Sequence, residues 1–176
     1  MLDNSLAADW HAAFVVTGEE ERVKERLLYR YGDRMKVLVP KRKLRERRNG
    51  IWTVITKILF PGYVLLKGSS EELSACDFRT VPKIIRPLRS GYDLVSIDED
   101  EIQVLSKLVC NNEVIDFSSL FIKDGKVRVT DGPLVSMEGR IISVDRRKGR
   151  AKVSLDFLGD SRVVELGINV IVLAEA

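Results

Sequence analysis

The sequence predicts an α+β domain, a mixed sheet flanked by helices, followed by a small all-β barrel. Three features of the 176-residue chain indicate this arrangement. Up to Cys110, stretches with helical periodicity alternate with strand-like runs. The segment 111–120 is polar and weakly patterned, which is typical of a linker. From Phe121 onward only short strand-like runs follow, so we predict domains at 9–110 and 121–176.

The first predicted element is a strand in "AAFVVTG", which ends at Gly18. A helix is predicted next, over "EEERVKERLLYRYG", because acids occupy its first turn and Gly32 stops it. The runs "MKVLVP", "WTVITK" and "GYVLL" have the composition of strands. The pair Asn49-Gly50 before the second run is a strong hairpin-turn signal.

Two further helices complete the predicted α+β domain. The first is a short helix in "SEELSACDFRTV", with Ser70 as its cap. An extended pair in "IIRPLRSGYDLVSI" precedes the second helix, "DEDEIQVLSKLVC", which four acids open. The predicted element order is therefore β-α-β-β-β-α-β-α.

The C-terminal segment has the pattern of a small barrel. Val153, Leu155 and Phe157 alternate with polar residues, the period-two pattern of a half-buried strand. Closure of such short strands into a barrel removes exposed edges. The five predicted strands are "KVRVT", "GRIISVD", "RAKVSLDFL", "RVVELG" and "VIVL", with turns at Asp131-Gly132, Lys148-Gly149 and Gly159-Asp160.

Composition narrows the possible functions. Hydrophobic residues make up 45% of the chain, and no apolar run approaches the ~18 residues of a membrane span, so a packed core and a cytoplasmic location are expected. Cys76 and Cys110 are expected to be free thiols, and with His11 as the single histidine no zinc site is expected. No nucleotide-binding or nucleophile motif is present, which predicts neither an enzyme nor a cofactor.

The distribution of charge is more informative than the net charge of +3. The segment 34–48 holds eight Lys or Arg residues and a single acid, Glu46, and the segment 146–152 is basic without an acid. Acids gather at 19–21 and 98–101 instead. One basic run alone is often a solvated face, but two separate runs favour a polyanionic partner.

Several motifs together resemble the NusG family of transcription elongation factors. Trp10, "TGEEERV", "LVPKRKLRERRNG" and "LFPGYVLL" are similar to the family's N-terminal (NGN) domain. The segment "VRVTDGPLVSMEGRIISVDRRKGRAKVSLDFLGDSRVVEL" resembles its KOW domain, with Gly132, Pro133 and Gly139 matching the motif. KOW segments also occur in ribosomal proteins, but both resemblances occur here in the family's order. The basic hairpin and "TGEEERVKERLL" are most similar to specialised paralogues, the LoaP group of antiterminators.

The resemblance implies that the NGN domain docks an apolar face on RNA polymerase. The implied contact is with the clamp helices of the β′ subunit, and the β subunit is a further candidate partner. The resemblance also implies that the protein is a monomer and that it suppresses pausing. Pattern alone favours packing of Phe60 and Tyr63 in their own core, whereas the resemblance favours rings that point outward. The implied polymerase-binding residues are Trp10, Phe60, Pro61, Gly62 and Tyr63. His11 stands where the family often has a second aromatic residue.

The resemblance also implies that the KOW domain binds a structured RNA hairpin in the nascent leader transcript. Arg and Lys on a turn can reach phosphates and base edges of a distorted RNA helix, although a charged turn can also serve solubility alone. The candidate RNA-binding residues are Arg128, Arg140, Arg146, Arg147, Lys148, Arg150, Lys152 and Arg162. A second set of basic residues lies on the hairpin of the N-terminal domain, where it either contacts DNA or RNA or is merely solvated: Arg42, Lys43, Arg45, Arg47 and Arg48.

Two other functions remain open at this point. One is a general NusG-type factor that couples polymerase to Rho or to the ribosome. In the family that contact uses a Phe before a glycine, where this chain has Leu158, and Asp160 replaces a basic residue. The family's "NTP" segment, which reads non-template DNA in some members, aligns with 80–82, "TVP". The other alternative is an RNA-binding, ribosome-associated protein built on a KOW barrel.

Overall fold

The computed structural model describes residues 9–85, 94–109 and 113–172. The chain divides into two compact units that alternate along the sequence. Unit 1 comprises Met1–Val39 and Phe60–Gln103, and unit 2 comprises Pro40–Leu59 and Val104–Ala176. This division differs from the predicted domain boundaries because the basic hairpin groups with the C-terminal strands. The predicted domain boundaries stay a prediction.

Unit 1 is built on an antiparallel sheet of four strands. The strands are β1 (Asp9–Phe14), β2 (Lys36–Leu38), β5 (Tyr63–Gly68) and β6 (Leu94–Ser96), in the order β2-β5-β1-β6. All described pairings in this sheet are antiparallel, so it is not mixed as predicted. The remainder of the predicted extended pair, residues 86–93, lies outside the described residues.

Three α-helices occur where the sequence predicts them. Helix α1 (Glu20–Tyr31) buries Val23 and Leu27 and ends at Gly32. Helices α2 (Ser70–Ser74) and α3 (Glu99–Leu108) follow, and α2 is shorter than predicted. The cap of α2 is Ser69 and not the predicted Ser70, and Ser69 forms a capping box with Glu72. A 3-10 helix at Phe78–Thr80 takes up the rest of that segment.

Unit 2 contains a hairpin made from the basic stretch. Strands β3 (Lys41–Arg48) and β4 (Ile51–Ile58) pair antiparallel, and β7 (Val114–Ile115) adds in parallel to β3, giving the order β4-β3-β7. The predicted turn is confirmed, since Asn49 and Gly50 have φ of 50° and 82°, as a tight hairpin turn requires. The basic residues therefore form a strand rather than a connection between strands.

The second sheet of unit 2 has five strands. They are β8 (Ser118–Lys123), β9 (Lys126–Asp131), β10 (Ile141–Asp145), β11 (Arg150–Phe157) and β12 (Asp160–Val170), in the order β10-β11-β12-β8-β9. The alternation predicted for β11 is confirmed by the burial of Val153, Leu155 and Phe157. The predicted linker 111–120 contains β7 and the start of β8, and its bounds as a linker between domains stay a prediction.

The run "RVVELG" lies within β12, which continues beyond it and ends at Val170, the first residue of the run "VIVL". Gly167 is the last residue of "RVVELG", where the predicted strand ended. A Cβ at this position would stand 2.5 Å from the carbonyl oxygen of Lys43 and 2.4 Å from the ring of Phe117. Glycine is required here by close approach of neighbouring chain, so the strand continues through it.

Other expectations concern membranes, metals and thiols. Across the described residues, no helix is long and apolar enough to cross a bilayer. Nor do these residues contain a group of three or more His, Cys, Asp or Glu side chains that could hold a metal ion. Cys76 is a buried free thiol, and burial raises its pKa. Cys110 lies outside the described residues.

Candidate functional site

The Pro61-Gly62 corner is held by a buried carboxylate. Glu20, which is 1% exposed, accepts a hydrogen bond of 2.7 Å from Gly62 N–H and one of 2.8 Å from Gly18 N–H. Gly62 has a φ of 88°, which glycine adopts without strain, and its carbonyl oxygen accepts a bond from Val15 N–H at 2.9 Å. The corner is thereby joined to the start of α1 and the end of β1.

Sequence reasoning treated the acids at 19–21 only as charges favoured in a first helical turn. The spacing of Glu20 from Val23 and Leu27 is the signal that was missed. Residues three and seven positions apart share one face of a helix, and Val23 and Leu27 are both fully buried. An acid on such a face predicts a buried carboxylate with specific hydrogen-bond partners.

The expectation that both rings of the corner point outward is wrong for Phe60. Phe60 is 4% exposed and lies in the core, and Trp10 is 7% exposed. The neighbouring interior positions of β1 are the small residues Ala12 and Ala13, and a close-packed core that includes small side chains has room for large rings. Neither ring forms an outward surface. Pro61 is exposed at the bend, and Tyr63 is half-buried.

An apolar surface does exist beside this corner, with largely different members. Tyr63 packs against Phe14, with ring centroids 5.2 Å apart, and both residues are half-buried. On the other edge of β1, Ile85 N–H donates to the Phe14 carbonyl oxygen at 2.7 Å, and Ile85 is 49% exposed. Side chains at directly opposed strand positions share one face. With exposed Val16, these residues form what we call the apolar corner surface: Phe14, Val16, Tyr63 and Ile85.

Sequence reasoning missed Phe14, Val16 and Ile85 as surface residues. A signal was available in "AAFVVTG", where Phe14, Val15 and Val16 are consecutive apolar residues. Successive side chains of extended chain point to opposite faces, so such a run cannot place every side chain in a one-sided core. Val15 is in fact buried, whereas Val16 is exposed.

Three of the five predicted nucleic-acid residues on the hairpin are half-buried in unit 2, and two of them, Lys43 and Arg45, have hydrogen-bond partners there. Lys43 Nζ donates to Asp116 Oδ2 at 2.8 Å, and this bond lowers the pKa of the Asp116 carboxyl. The Arg45 guanidinium donates to the Ile168 carbonyl oxygen at 3.1 Å and lies 4.3 Å from the centre of the Phe117 ring. Arg42 is half-buried, and burial lowers its pKa while the nearby Glu165 raises it.

The other two arginines of this set, Arg47 and Arg48, are exposed near the hairpin turn. Arg47 Nε donates to the Gly50 carbonyl oxygen at 3.1 Å, and this bond restrains the Arg47 side chain. Arg48 lies 3.5 Å from a Glu46 carboxylate oxygen, and Lys57 pairs with the same carboxylate. Only the tip of the hairpin therefore presents its predicted arginines to solvent.

Arg150 does not project from the five-stranded sheet as expected. Its guanidinium donates to Glu165 Oε2 at 2.7 Å and to the carbonyl oxygen of Arg45 at 3.0 Å, and it lies 4.0 Å from Glu46. The Arg150 side chain is only 15% exposed. Its role is thus to hold strand β11 to the basic hairpin, and it is not available to an RNA ligand in this arrangement.

The remaining candidates for RNA binding fall into two groups. Two are engaged: Arg140 donates to the Ser154 carbonyl oxygen and to Asp156 Oδ2, both at 3.4 Å, and Arg162 lies 5.2 Å from the Phe157 ring centre. The exposed ones are Arg128, Arg146, Arg147, Lys148 and Lys152. Three of these are consecutive in the β10–β11 turn, which we call the basic turn (146–148). Within this turn, the backbone N–H of Lys148 donates to Asp145 Oδ1 at 2.9 Å.

Comparison with known proteins identifies the family. A family model described as "Transcription termination factor nusG" matches residues 8–106, more than half of the chain. The chain belongs to the NusG family. This confirms the predicted fold class, an NGN domain with a KOW domain after it, and the function of a NusG-type transcription termination/antitermination factor. Because the family consists of non-enzymatic transcription factors, the prediction that the chain is not an enzyme is also confirmed.

Curated relatives extend this family assignment over nearly the whole chain. Transcription termination/antitermination protein NusG of Rickettsia prowazekii is 27% identical over 96% of this chain and 94% of its own length. The Thermus thermophilus NusG is 28% identical over 96% and 100%, and the Vibrio cholerae NusG is 31% identical over 74% and 72%. A solved structure of Thermotoga maritima NusG is 22% identical and covers 91% of this chain and 93% of its own, with a TM-score of 0.49.

Proposed function

We propose that this NusG-family protein is a processive antiterminator of the LoaP type. Its NGN domain docks on RNA polymerase, and its KOW domain binds a structured hairpin in the nascent leader RNA. The observation that carries the RNA-binding part is the basic turn, where Arg146, Arg147 and Lys148 are consecutive and exposed. The alternative within the family is a general factor that couples polymerase to Rho or to the ribosome.

The apolar corner surface is the proposed docking site for polymerase. The four residues Phe14, Val16, Tyr63 and Ile85 are half-buried or exposed, so each retains apolar area that a partner can cover. Covering ~100 Å² of apolar area stabilises a complex by roughly 2–3 kcal/mol, at about 25 cal/mol per Å². A few such side chains in one patch form a hot spot, and an aromatic pair suits the groove between two clamp helices.

The basic turn is the proposed contact to RNA. Two consecutive arginines precede a lysine in this turn, and an arginine can bind phosphate or a base edge with two parallel hydrogen bonds. Asp145 is the acid next to this turn, and its carboxylate accepts the Lys148 backbone N–H. Exposed Lys152 on β11 extends the positive surface from the turn. RNA helices are recognised through phosphates and distorted or unpaired bases, which a projecting turn can reach.

The coupling alternative is supported by the names of the relatives, which include termination as well as antitermination. Leu158 argues against it. The family's contact uses a phenylalanine at the aligned position, whereas Leu158 here is half-buried, with a φ of 56° in the β11–β12 turn. A binding assay with purified Rho separates the two functions: the antiterminator is expected not to bind it.

Docking is tested with a double substitution on the apolar corner surface. Val16→Ser and Ile85→Ser change exposed side chains, so folding is preserved. The matched control is Leu28→Ser with Tyr29→Ser, which removes two exposed apolar side chains from α1 in the same unit. The affinity of the full chain for core RNA polymerase is expected to fall at least about tenfold for the first variant only. Equal affinities of the two variants would contradict the docking assignment.

RNA binding is tested with Arg146→Ala and Arg147→Ala together. The matched control, Lys123→Ala with Lys126→Ala, removes the same charge from the exposed ends of another turn in the same sheet. A pool of RNA stem-loops is the probe, titrated against the full chain at fixed salt. The first variant is expected to lose affinity and the control to keep it; if both lose affinity equally, general charge and not the basic turn is responsible.

A further inference from the structure

The tip of the β3–β4 hairpin exposes apolar side chains that the proposed function does not use. Trp52 is 44% exposed, and its neighbours Ile51 and Val54 are 67% and 58% exposed. Strand β4 is the outer strand of its sheet, with the order β4-β3-β7. A tryptophan on such a strand contributes little to its own core, and aromatic residues at exposed positions are enriched where partners bind.

The exposed indole is adjacent to an exposed arginine. Trp52 and Arg47 are directly paired across the hairpin, so their side chains lie on the same face with Cβ atoms ~5 Å apart. The next pair inward on this face is Arg45 with Val54. The Arg45 guanidinium is held by Ile168 and Asn169, whereas Arg47 and Trp52 at the tip stay exposed.

Charge identifies the chemical class of the partner. Strands β3 and β4 together carry seven Lys or Arg residues, and Glu46 is the one acid in these two strands. The Glu46 carboxylate is paired with Arg48 and Lys57, so it presents little uncompensated negative charge. A positive surface with an exposed indole favours a nucleic acid that offers both phosphates and unstacked bases.

The hairpin is also continuous with the basic turn. Arg150, which follows that turn, donates to the carbonyl oxygen of Arg45 at 3.0 Å. The Cβ position of Gly149 lies 3.4 Å from Arg45 Nη1. The basic turn therefore emerges beside strand β3, two residues along the strand from Arg47. One nucleic-acid strand can follow a path from the turn to the hairpin tip.

We propose that Trp52 stacks on an unpaired base of a single-stranded nucleic acid while Arg47 contacts an adjacent phosphate. This inference rests on the proposed function only in taking a nucleic acid as the partner, and it adds a site, a residue and a mode of recognition. RNA loops and exposed single-stranded DNA share the required chemistry. A protein strand that adds to the edge of β4 would use the same apolar side chains but not the charge.

The experiment uses the full chain and oligonucleotides of about 12 nucleotides, a length within the usual site size of stacking grooves. Oligouridylate, oligothymidylate and duplexes of equal length are titrated, with anisotropy for affinity and tryptophan fluorescence for stacking. We expect quenching of Trp52 by both single strands and weaker binding of the duplexes. Trp10 is buried, so the Trp52→Phe variant should lose the quenching signal and keep most of the affinity.

Trp52→Ala is expected to lose about 10- to 100-fold in affinity without a change in salt dependence, because no charge is removed. Arg47→Ala should reduce the slope of log affinity against log salt by about one contact. The matched control is Tyr29→Ala, which removes another exposed aromatic side chain from the same protein and should bind as the unmodified chain does. A preference for uridylate over thymidylate would assign the site to RNA, and the reverse would assign it to DNA.

The proposal is overturned if Trp52→Ala binds the single strands as tightly as the unmodified chain does, or if the single strands do not quench Trp52 fluorescence. It is also overturned if Trp52→Ala loses as much affinity for the duplexes as for the single strands. These outcomes are separable from failure of the proposed function. If Arg146→Ala with Arg147→Ala weakens stem-loop binding but Trp52→Ala does not, the assignment of the basic turn is retained and the stacking site is rejected. If Trp52→Ala alone weakens binding, the stacking site stands and the assignment of the turn falls.

Discussion

Glu20 and Gly62 are joined by a hydrogen bond of 2.7 Å from the Gly62 N–H to a carboxylate oxygen, across 42 residues of sequence. The same carboxylate accepts from Gly18 N–H at 2.8 Å. The start of α1 therefore sets the position of the bend that leads into β5. Tyr63 follows this bend directly and packs on Phe14, so the geometry of the apolar corner surface depends on a side chain outside it.

Replacement of Glu20 by Ala is expected to lower the free energy of unfolding of unit 1 by roughly 2–4 kcal/mol. Two backbone N–H groups lose their acceptor, and each partly buried donor left unsatisfied costs about 1–3 kcal/mol. Urea unfolding followed through Trp10 fluorescence, in a Trp52→Phe background, measures the change. The exposed Glu25→Gln on the same helix is the control. A loss no larger than that of Glu25→Gln would show that the carboxylate does not hold the corner.

Phe60 and Tyr63 are predicted to behave differently although both flank Pro61-Gly62. Phe60→Ala removes a core ring and is expected to destabilise unit 1 by about 3–5 kcal/mol. Phe60→Leu retains most of the volume and should bind RNA polymerase as the unmodified chain does. Tyr63→Ala should weaken polymerase binding more than it lowers stability. Affinity for core polymerase and urea midpoints give both quantities; loss of binding by Phe60→Leu with unchanged stability would contradict the assignment.

Arg150→Ala is predicted to loosen the basic hairpin from the five-stranded sheet. The Arg45 carbonyl oxygen and the Glu165 carboxylate lose a donor, at a cost of roughly 1–3 kcal/mol. Trypsin should then cleave at Arg47 and Arg48 faster than in the unmodified chain, since local opening exposes the hairpin backbone. Arg147→Ala removes the same charge from an exposed position and is the control. Identical cleavage rates would rule out this role of Arg150.

The ion pair between Asp116 and Lys43 predicts a dependence of stability on acid. The hydrogen bond from Lys43, aided by the Phe117 N–H, lowers the pKa of Asp116 in the folded protein below its unfolded value of about 3.9. The stabilisation is therefore complete above pH ~4 and is lost as the pH falls through the lower folded pKa. Unfolding free energies of the unmodified chain and Asp116→Asn should converge below pH ~4. Asp124→Asn, in an exposed turn, is the control. Unfolding free energies of the unmodified chain and Asp116→Asn that move apart in acid would contradict the prediction.

Salt dependence provides a further test of the basic turn. Binding to RNA releases counterions, so each phosphate contact that is lost reduces the slope of log affinity against log salt by about 0.7–0.9. Arg146→Ala with Arg147→Ala should lower the slope by roughly two contacts for stem-loop RNA. Lys123→Ala with Lys126→Ala should leave it unchanged. A slope that is the same in all three proteins would mean that the turn does not contact phosphates.

Local pattern predicted most of the elements. The acids before α1, the alternation in β11 and the Asn49-Gly50 turn are decided by neighbours in sequence, because helix and strand periodicities and turn conformations are local properties. The order of motifs also predicted the family. In contrast, the prediction ended a strand at Gly167, whereas β12 continues to Val170. The residues that approach Gly167 closely, Lys43 and Phe117, are distant in sequence.

The sequence by itself determined the three α-helices, most of the strands, the Asn49-Gly50 turn, the position of the basic turn and the membership of the NusG family. Only the tertiary structure decided which side chains are available to partners. Phe60 is buried while Tyr63 is half-exposed, and Arg150 is engaged while Arg147 is exposed. The physical reason is that burial and pairing depend on the elements packed opposite a residue, and a residue's own neighbours in the chain do not specify those elements.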